Sequence, residues 1–128
     1  KLANILFTRE LARRLDTDGA PVTANCFHPG FVPGSGFPRQ TPLPFRLAAR
    51  AISVVPDAVE GLVATTVPEG AETQVYLAVS SDVDEVSGEY FYDLRPSVPS
   101  EEARDNEDAR RLWELSGELT GVEYDLRE

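Results

Sequence analysis

A chain of 128 residues with 41% hydrophobic content suits one domain with a single modest core, and two domains are not expected. Its 22 carboxylates against 12 basic residues give a formal net charge of -10, which argues against nucleic acid as a partner. No signal peptide and no run of about 18 apolar residues stand out, so a soluble, cytoplasmic protein without a membrane span is expected. Cys26 is the only cysteine and His28 the only histidine, which rules out an internal disulfide and leaves no convincing metal site.

The basic residues are unevenly chosen. Lys1 is the only lysine, and every other positive charge is an arginine. An acidic surface that prefers arginine fits a salt-loving source, because the Debye length falls to about 3 Å at 1 M salt and self-repulsion is screened. An ordinary acidic protein is the alternative.

Leu2, Ile5, Leu6, Leu11, Ala12 and Leu15 recur at helical spacing and predict a helix over residues 2–15, with Arg9, Glu10, Arg13 and Arg14 on the opposite side. Glu10 precedes Arg14 by four residues, an exposed pair worth about 0.2 to 0.5 kcal/mol. Phe7 lies off the main seam, so the helix is expected to pack on a second side, against another helix or a partner subunit. Asp16, Asp18 and Gly19 end it.

Residues 21–27 read as a short, mostly buried strand of small and β-branched residues. A strand buried on both faces belongs to a parallel sheet and implies an earlier strand outside this chain. With no methionine present, the chain reads as a fragment. Residues 29–44, rich in proline and glycine, form a loop leaving the carboxyl end of that strand, where open α/β sheets place ligands. A short helix over 45–55 is expected to act as a lid, so that 30–55 form a substrate loop and lid. Phe31, Phe37 and Phe45 either line an apolar pocket or hold this loop down.

Residues 56–66 suggest a helical turn, and a clearer helix runs from Pro68 to about Val79, with Thr66 or Val67 at its cap. Residues 89–93 read as a final strand. The region 100–128 forms a terminal helix and tail, with the helix over 105–119, Leu112, Leu115, Ser116 and Leu119 on one side, Trp113 as its anchor and Gly121 as its stop. The acidic stretch 101–108 reads as a solvated helix start. Cys26 is expected to pack as a small apolar group, and His28 to be a hydrogen-bonded structural residue.

Three stretches together resemble a known family. Lys1-Leu2-Ala3-Asn4-Ile5-Leu6-Phe7 looks like the end of a Tyr-x-x-x-Lys motif and the helix it opens, with Lys1 as the motif's lysine. His28-Pro29-Gly30-Phe31-Val32 looks like a strand end and Pro-Gly turn that meet a nicotinamide ring. Gly70-Ala71-Glu72-Thr73-Gln74-Val75-Tyr76-Leu77-Ala78, Gly88-Glu89-Tyr90-Phe91 and Arg111-Leu112-Trp113-Glu114-Leu115-Ser116 come next in the same order. The chain is thereby similar to the short-chain dehydrogenases/reductases, and among them to the retinol-dehydrogenase-like members, over essentially its whole length.

The resemblance implies an α/β fold, the carboxyl-terminal half of a Rossmann-type doubly wound parallel sheet, with residues 1–128 as a single partial domain. It implies NAD or NADP as cofactor, a small alcohol, aldehyde or ketone as substrate, and a homo-oligomer for the full-length protein. Lys1 would lower the pKa of the tyrosine and hold the nicotinamide ribose; Pro29, Gly30 and Val32 would seat the cofactor, the backbone of Val32 meeting the carboxamide. Where the family often has a threonine two residues beyond, this chain has Pro33-Gly34-Ser35, and Ser35 is a candidate at shifted spacing. In the family, the glycine-rich turn that cradles the pyrophosphate, the catalytic serine and the motif tyrosine all precede the position of Lys1, so this chain alone is expected to be inactive. The alternative is a non-catalytic interaction or dimerisation module that retains the late helices.

Overall fold

A computed structural model of the chain describes residues 1–30, 32, 47 and 66–122. They fall into two compact units, one of Lys1–Phe27, Ser80–Phe91 and Arg95–Glu128, the other of His28–Val79 and Tyr92–Leu94. In chain order the elements are α1 (Leu2–Asp18), β1 (Cys26–His28), α2 (Val67–Val79), β2 (Tyr90–Tyr92), β3 (Arg95–Pro96) and α3 (Asn106–Thr120), with 3-10 turns at Ser81–Val83 and Glu102–Arg104. The expected lid helix and most of the loop before it lie outside the described residues.

Helix α1 runs three residues past its expected end. Gly19 adopts the left-handed conformation at φ 68° that glycine reaches without strain, and the helix closes where its N–H finds the Asp16 carbonyl at 3.1 Å and the Ala20 N–H finds that of Leu15 at 3.0 Å. Leu6, Ala12 and Leu15 form its buried apolar side. Phe7 stacks on Trp113 with ring centroids 4.9 Å apart and planes 18° from parallel. The second surface that Phe7 calls for is therefore α3 of the same chain.

Glu10 departs from the expected exposed pair: it is only 3% exposed. Its two carboxylate oxygens are shared between Arg13, at 2.8 and 2.9 Å, and Arg14, at 2.7 Å. The Arg14 guanidinium also lies 4.8 Å from the centre of the Trp113 ring. Helical spacing alone put Glu10 on the solvent side; the aromatic stack turns that side toward α3, and the two arginines cover the carboxylate.

Helix α3 begins one residue later than expected because Asp105 is its cap, accepting the Glu107 and Asp108 N–H groups at 2.8 and 3.0 Å. Glu101, Glu102, Asp105, Glu107 and Asp108 are exposed around the fully buried Ala103, so the acidic stretch is a solvated helix start. Gly121 ends α3 at φ 68°. Its inward stripe is Ala109, Leu112, Trp113, Ser116 and Gly117, whereas Leu115 and Leu119 are exposed, the latter at 78%. Seating Trp113 on Phe7 rotates the helix away from the stripe that leucine spacing alone predicts.

The described strands form a three-stranded sheet in the order β1-β2-β3. Gly88 N–H donates to the Ala24 carbonyl at 2.7 Å and Cys26 N–H to that of Glu89 at 3.0 Å, so numbering rises together along β1 and β2, the parallel sense. The strand expected over 21–27 is shorter and half-buried, since 21–23 are exposed and only Cys26–His28 is regular. Side chains replace the ladder just before it: Asn25 donates to the Val86 carbonyl at 2.6 Å and accepts the Glu89 N–H at 3.1 Å, and Ser87 Oγ accepts the Ala24 N–H at 3.1 Å. Phe91, 1% exposed, fills the core beneath β2.

The last expected strand continues into a hairpin. Asp93 and Leu94 both have positive φ, 52° and 61°, the pairing a two-residue type I′ turn requires, and Ser97 N–H returns to the Tyr90 carbonyl at 2.7 Å. Leucine is a poor sequence signal for that conformation, which is why β3 is not evident from composition. The sheet described is thus a small mixed one, part of an α/β arrangement.

Glu10 generates a test. Hydrogen bonding from Arg13, and then from Arg14, outweighs burial and holds its carboxyl below the ordinary value of 4.5. A depressed folded pKa stabilises the fold above the unfolded pKa and ceases to do so as pH falls through the folded one. Glu10→Gln is expected to lower stability at pH 7 by about 1–2 kcal/mol, with the gap closing below about pH 4. Urea denaturation at both pH values measures it; equal stability at pH 7 would show that the arginine fork contributes nothing.

Candidate functional site

The loop after β1 belongs to the second unit, together with α2 and the turn at Tyr92–Leu94. β1 ends at His28, whose Nδ1 accepts the Gly30 N–H at 3.0 Å. The proton of a neutral ring must then sit on Nε2. Gly30 has φ 76°, a left-handed conformation that bends the chain directly after the exposed Pro29. The His28 ring also meets that of Tyr92, centroids 5.8 Å apart and tilted by 53°. His28 is therefore a structural clasp for the Pro-Gly bend, as the sequence led one to expect.

Val32 is half-buried and its side chain is directed at α2. The contact falls on Gly70, where a Cβ would lie 2.8 Å from Val32 Cγ2 and 3.3 Å from the Pro29 carbonyl oxygen. Among the described residues no backbone group hydrogen-bonds to the Val32 amide or carbonyl.

Helix α2 is set by a reciprocal cap. The Glu69 carboxylate accepts both the N–H and the hydroxyl of Thr66, at 2.9 and 2.8 Å, and Thr66 Oγ1 accepts the Glu69 N–H at 3.4 Å. These Thr66 hydrogen bonds hold the Glu69 carboxyl below its ordinary range. Thr66 is thus the cap, and Pro68 stands second in the helix rather than first. On the buried side Thr73 Oγ1 accepts the Leu94 N–H at 3.2 Å.

Pro29, Gly30 and Val32 are accordingly gathered into one bend seated on α2. Lys1 belongs to the first unit, exposed at the start of α1, where its carbonyl accepts the Asn4 and Ile5 N–H groups at 3.1 and 3.3 Å. Phe31, Ser35, Phe37 and Phe45 lie outside the described residues. Cys26 is half-buried; burial pushes its thiol up, against the opposing effects of the Thr8 hydroxyl and Arg9. It is a poor nucleophile there.

Gly70 and Tyr92 touch the bend and Thr73 holds the turn beside it, roles that the sequence did not assign although Gly70 and Thr73 stand in a stretch that carries the family resemblance. A small residue and a hydroxyl three apart on one helix face is a pattern common to many helices. Val32 thus follows a strand end, with its side chain held against Gly70 of α2.

No family model matches the chain. Among curated proteins it is similar to retinol dehydrogenase 14 of Mus musculus, with 44% identity over 122 residues, covering 95% of this chain and 34% of that protein. It is 39% identical over 125 residues to retinol dehydrogenase 12 of Homo sapiens, covering 98% and 36%. It is 34% identical over 119 residues to the chloroplastic short-chain dehydrogenase TIC 32 A of Brassica napus, covering 93% and 34%. The chain spans about a third of the length of the curated relatives it matches. These relatives are oxidoreductases by name, and the short-chain dehydrogenases among them imply a Rossmann-like α/β fold. Among the described residues no helix is long and apolar enough to cross a membrane.

The clasp at the bend predicts a tautomer. Long-range proton–nitrogen NMR of His28 at neutral pH is expected to show the Nε2–H form, with the Gly30 amide shifting when His28→Phe removes the acceptor. An Nδ1–H ring would mean that the bend is held some other way.

Proposed function

We propose that this chain is the carboxyl-terminal part of an NAD(P)-dependent short-chain dehydrogenase/reductase that interconverts an alcohol and a carbonyl compound. The observation that carries this reading is the Pro29-Gly30-Val32 bend at the carboxyl end of β1, seated on α2, in a chain 44% identical to a retinol dehydrogenase. Where an open α/β sheet ends its strands is where such folds take a dinucleotide.

The nicotinamide, when bound, supplies or accepts the hydride. Val32 would hold the carboxamide through its amide and carbonyl, with Pro29 and Gly30 fixing the direction in which those groups point. Lys1, at the start of α1, would hold the nicotinamide ribose and place its ammonium beside a tyrosine from the segment before it. A phenol of ordinary pKa near 10 is a weak base at neutral pH, and a neighbouring positive charge favours its phenolate. Arginine does not fill that place equally, because its guanidinium is a broad fork rather than a compact charge. Phe31 and Phe37 would border an apolar part of the substrate pocket. The complete protein would act on a small alcohol, aldehyde or ketone as a homo-oligomer in the cytoplasm.

The alternative of a non-catalytic pairing module drew on surplus apolar surface along α1. Part of that surplus, Phe7, is taken up by Trp113 within the chain.

In the complete protein, Lys1→Ala is expected to reduce alcohol oxidation at pH 7 by roughly 100-fold or more and to move the rising, acid-side limb of the pH–rate profile to higher pH, because the tyrosine base loses the charge that lowers its pKa. The 128-residue chain by itself should show no turnover with either cofactor. An unchanged profile for Lys1→Ala, or activity from the chain alone, would remove this reading.

A salt-loving source is part of the same proposal, supported by the net charge of -10 and the exposed carboxylates that open α3. The thermal midpoint should then rise between about 0.1 M and about 2 M sodium chloride as repulsion is screened. A midpoint that is flat or falls across that range would mark an ordinary acidic protein.

A further inference from the structure

Gly70 is the fourth residue of α2 and is buried. The 2.8 Å between its ideal Cβ position and Val32 Cγ2 is closer than real side-chain carbons approach, so a methyl group there must displace something, and a shift of 0.6 Å would restore the 3.4 Å at which ordinary contact begins. Three features make the bend the part that moves. Val32 is β-branched and has little freedom about χ1. The second neighbour, at 3.3 Å, is the backbone carbonyl of Pro29. The helix is itself anchored one turn further on, where Thr73, 5% exposed and on the same face, holds the Leu94 N–H at 3.2 Å.

We propose that Gly70 is a positioning residue for the nicotinamide: its lack of a side chain sets the depth at which Val32 seats, and with it the place where the Val32 backbone meets the carboxamide. The proposal rests on the reading of the chain as part of a nicotinamide-dependent oxidoreductase. Gly70 does not touch the cofactor; it acts through Val32.

The test uses the complete protein and its Gly70→Ala variant. Calorimetry measures binding of NAD and NADP, and of ADP-ribose and its 2′-phosphate, which carry the same adenosine end without the nicotinamide. The expected result is a loss of roughly tenfold in dinucleotide affinity with the nicotinamide-free ligands unchanged, and a fall in kcat of roughly 10- to 100-fold with little change in the substrate KM. Adding Val32→Ala to Gly70→Ala removes the clashing methyl group and should restore most of the dinucleotide affinity. Equal affinities in a folded Gly70→Ala variant, or equal losses for ligands with and without nicotinamide, would overturn the proposal. If the single variant does not fold, the double variant decides: dinucleotide affinity close to wild type supports the contact, and a folded double variant that gains nothing from the nicotinamide overturns it. A wild-type protein that binds no dinucleotide would remove the functional reading itself, a result distinct from those above.

Discussion

Arg14 holds two partners at once, the buried Glu10 carboxylate at 2.7 Å and the face of Trp113 at 4.8 Å. Because Trp113 also stacks on Phe7, the charge and the aromatic pair form one assembly that joins α1 to α3. A carboxylate enters a protein interior only when it is paired and hydrogen-bonded, and here the pairing comes from two arginines on its own helix. Glu10 can therefore lie under the helix pair without a partner from elsewhere, and the short apolar side of α1, Leu6, Ala12 and Leu15, remains free for the core. Among the described residues, the buried carboxylate of Glu10 lies within ion-pair distance of both Arg13 and Arg14.

The second unit obeys a different rule, close approach without side chains. Gly70 lets α2 lie directly on the bend after β1, Gly30 lets that bend form, and His28 ties it through a ring nitrogen. The strain this region carries lies in the turn beside it, where Leu94 occupies a left-handed conformation that favours glycine or asparagine and is compensated by a hydrogen bond to buried Thr73. Capping at Thr66 and Glu69 fixes where α2 starts, and so which of its residues meets Val32. The bend is thus held from several sides, by Gly70 of α2, by the His28 ring nitrogen and through the contact of His28 with Tyr92.

Much of the secondary structure was legible in the sequence because it is decided locally. The stops of α1 at Gly19 and of α3 at Gly121 reflect residues whose own conformational preferences act within one turn of helix, whereas Asp105, read as the first residue of α3, proved to be its cap. The Thr66 cap is of the same kind. Strand limits were less legible, because Asn25 and Ser87 satisfy backbone groups that a ladder would otherwise claim, and neither residue marks that role by type. β3 was hidden because a leucine takes a conformation its side chain disfavours.

By itself, the sequence determined that α1, α2 and α3 are helices, that Gly19 and Gly121 stop two of them, that a proline-glycine bend follows a strand and that the singular lysine stands at position 1, since each is a matter of residue type and short spacing. Only the tertiary structure decided that Glu10 is buried, that Trp113 turns α3 so that Leu115 and Leu119 face outward, and that Gly70 supports Val32. Those outcomes depend on which face of one helix meets which residue tens of positions away. Periodicity names a face of a helix, but packing chooses what that face touches.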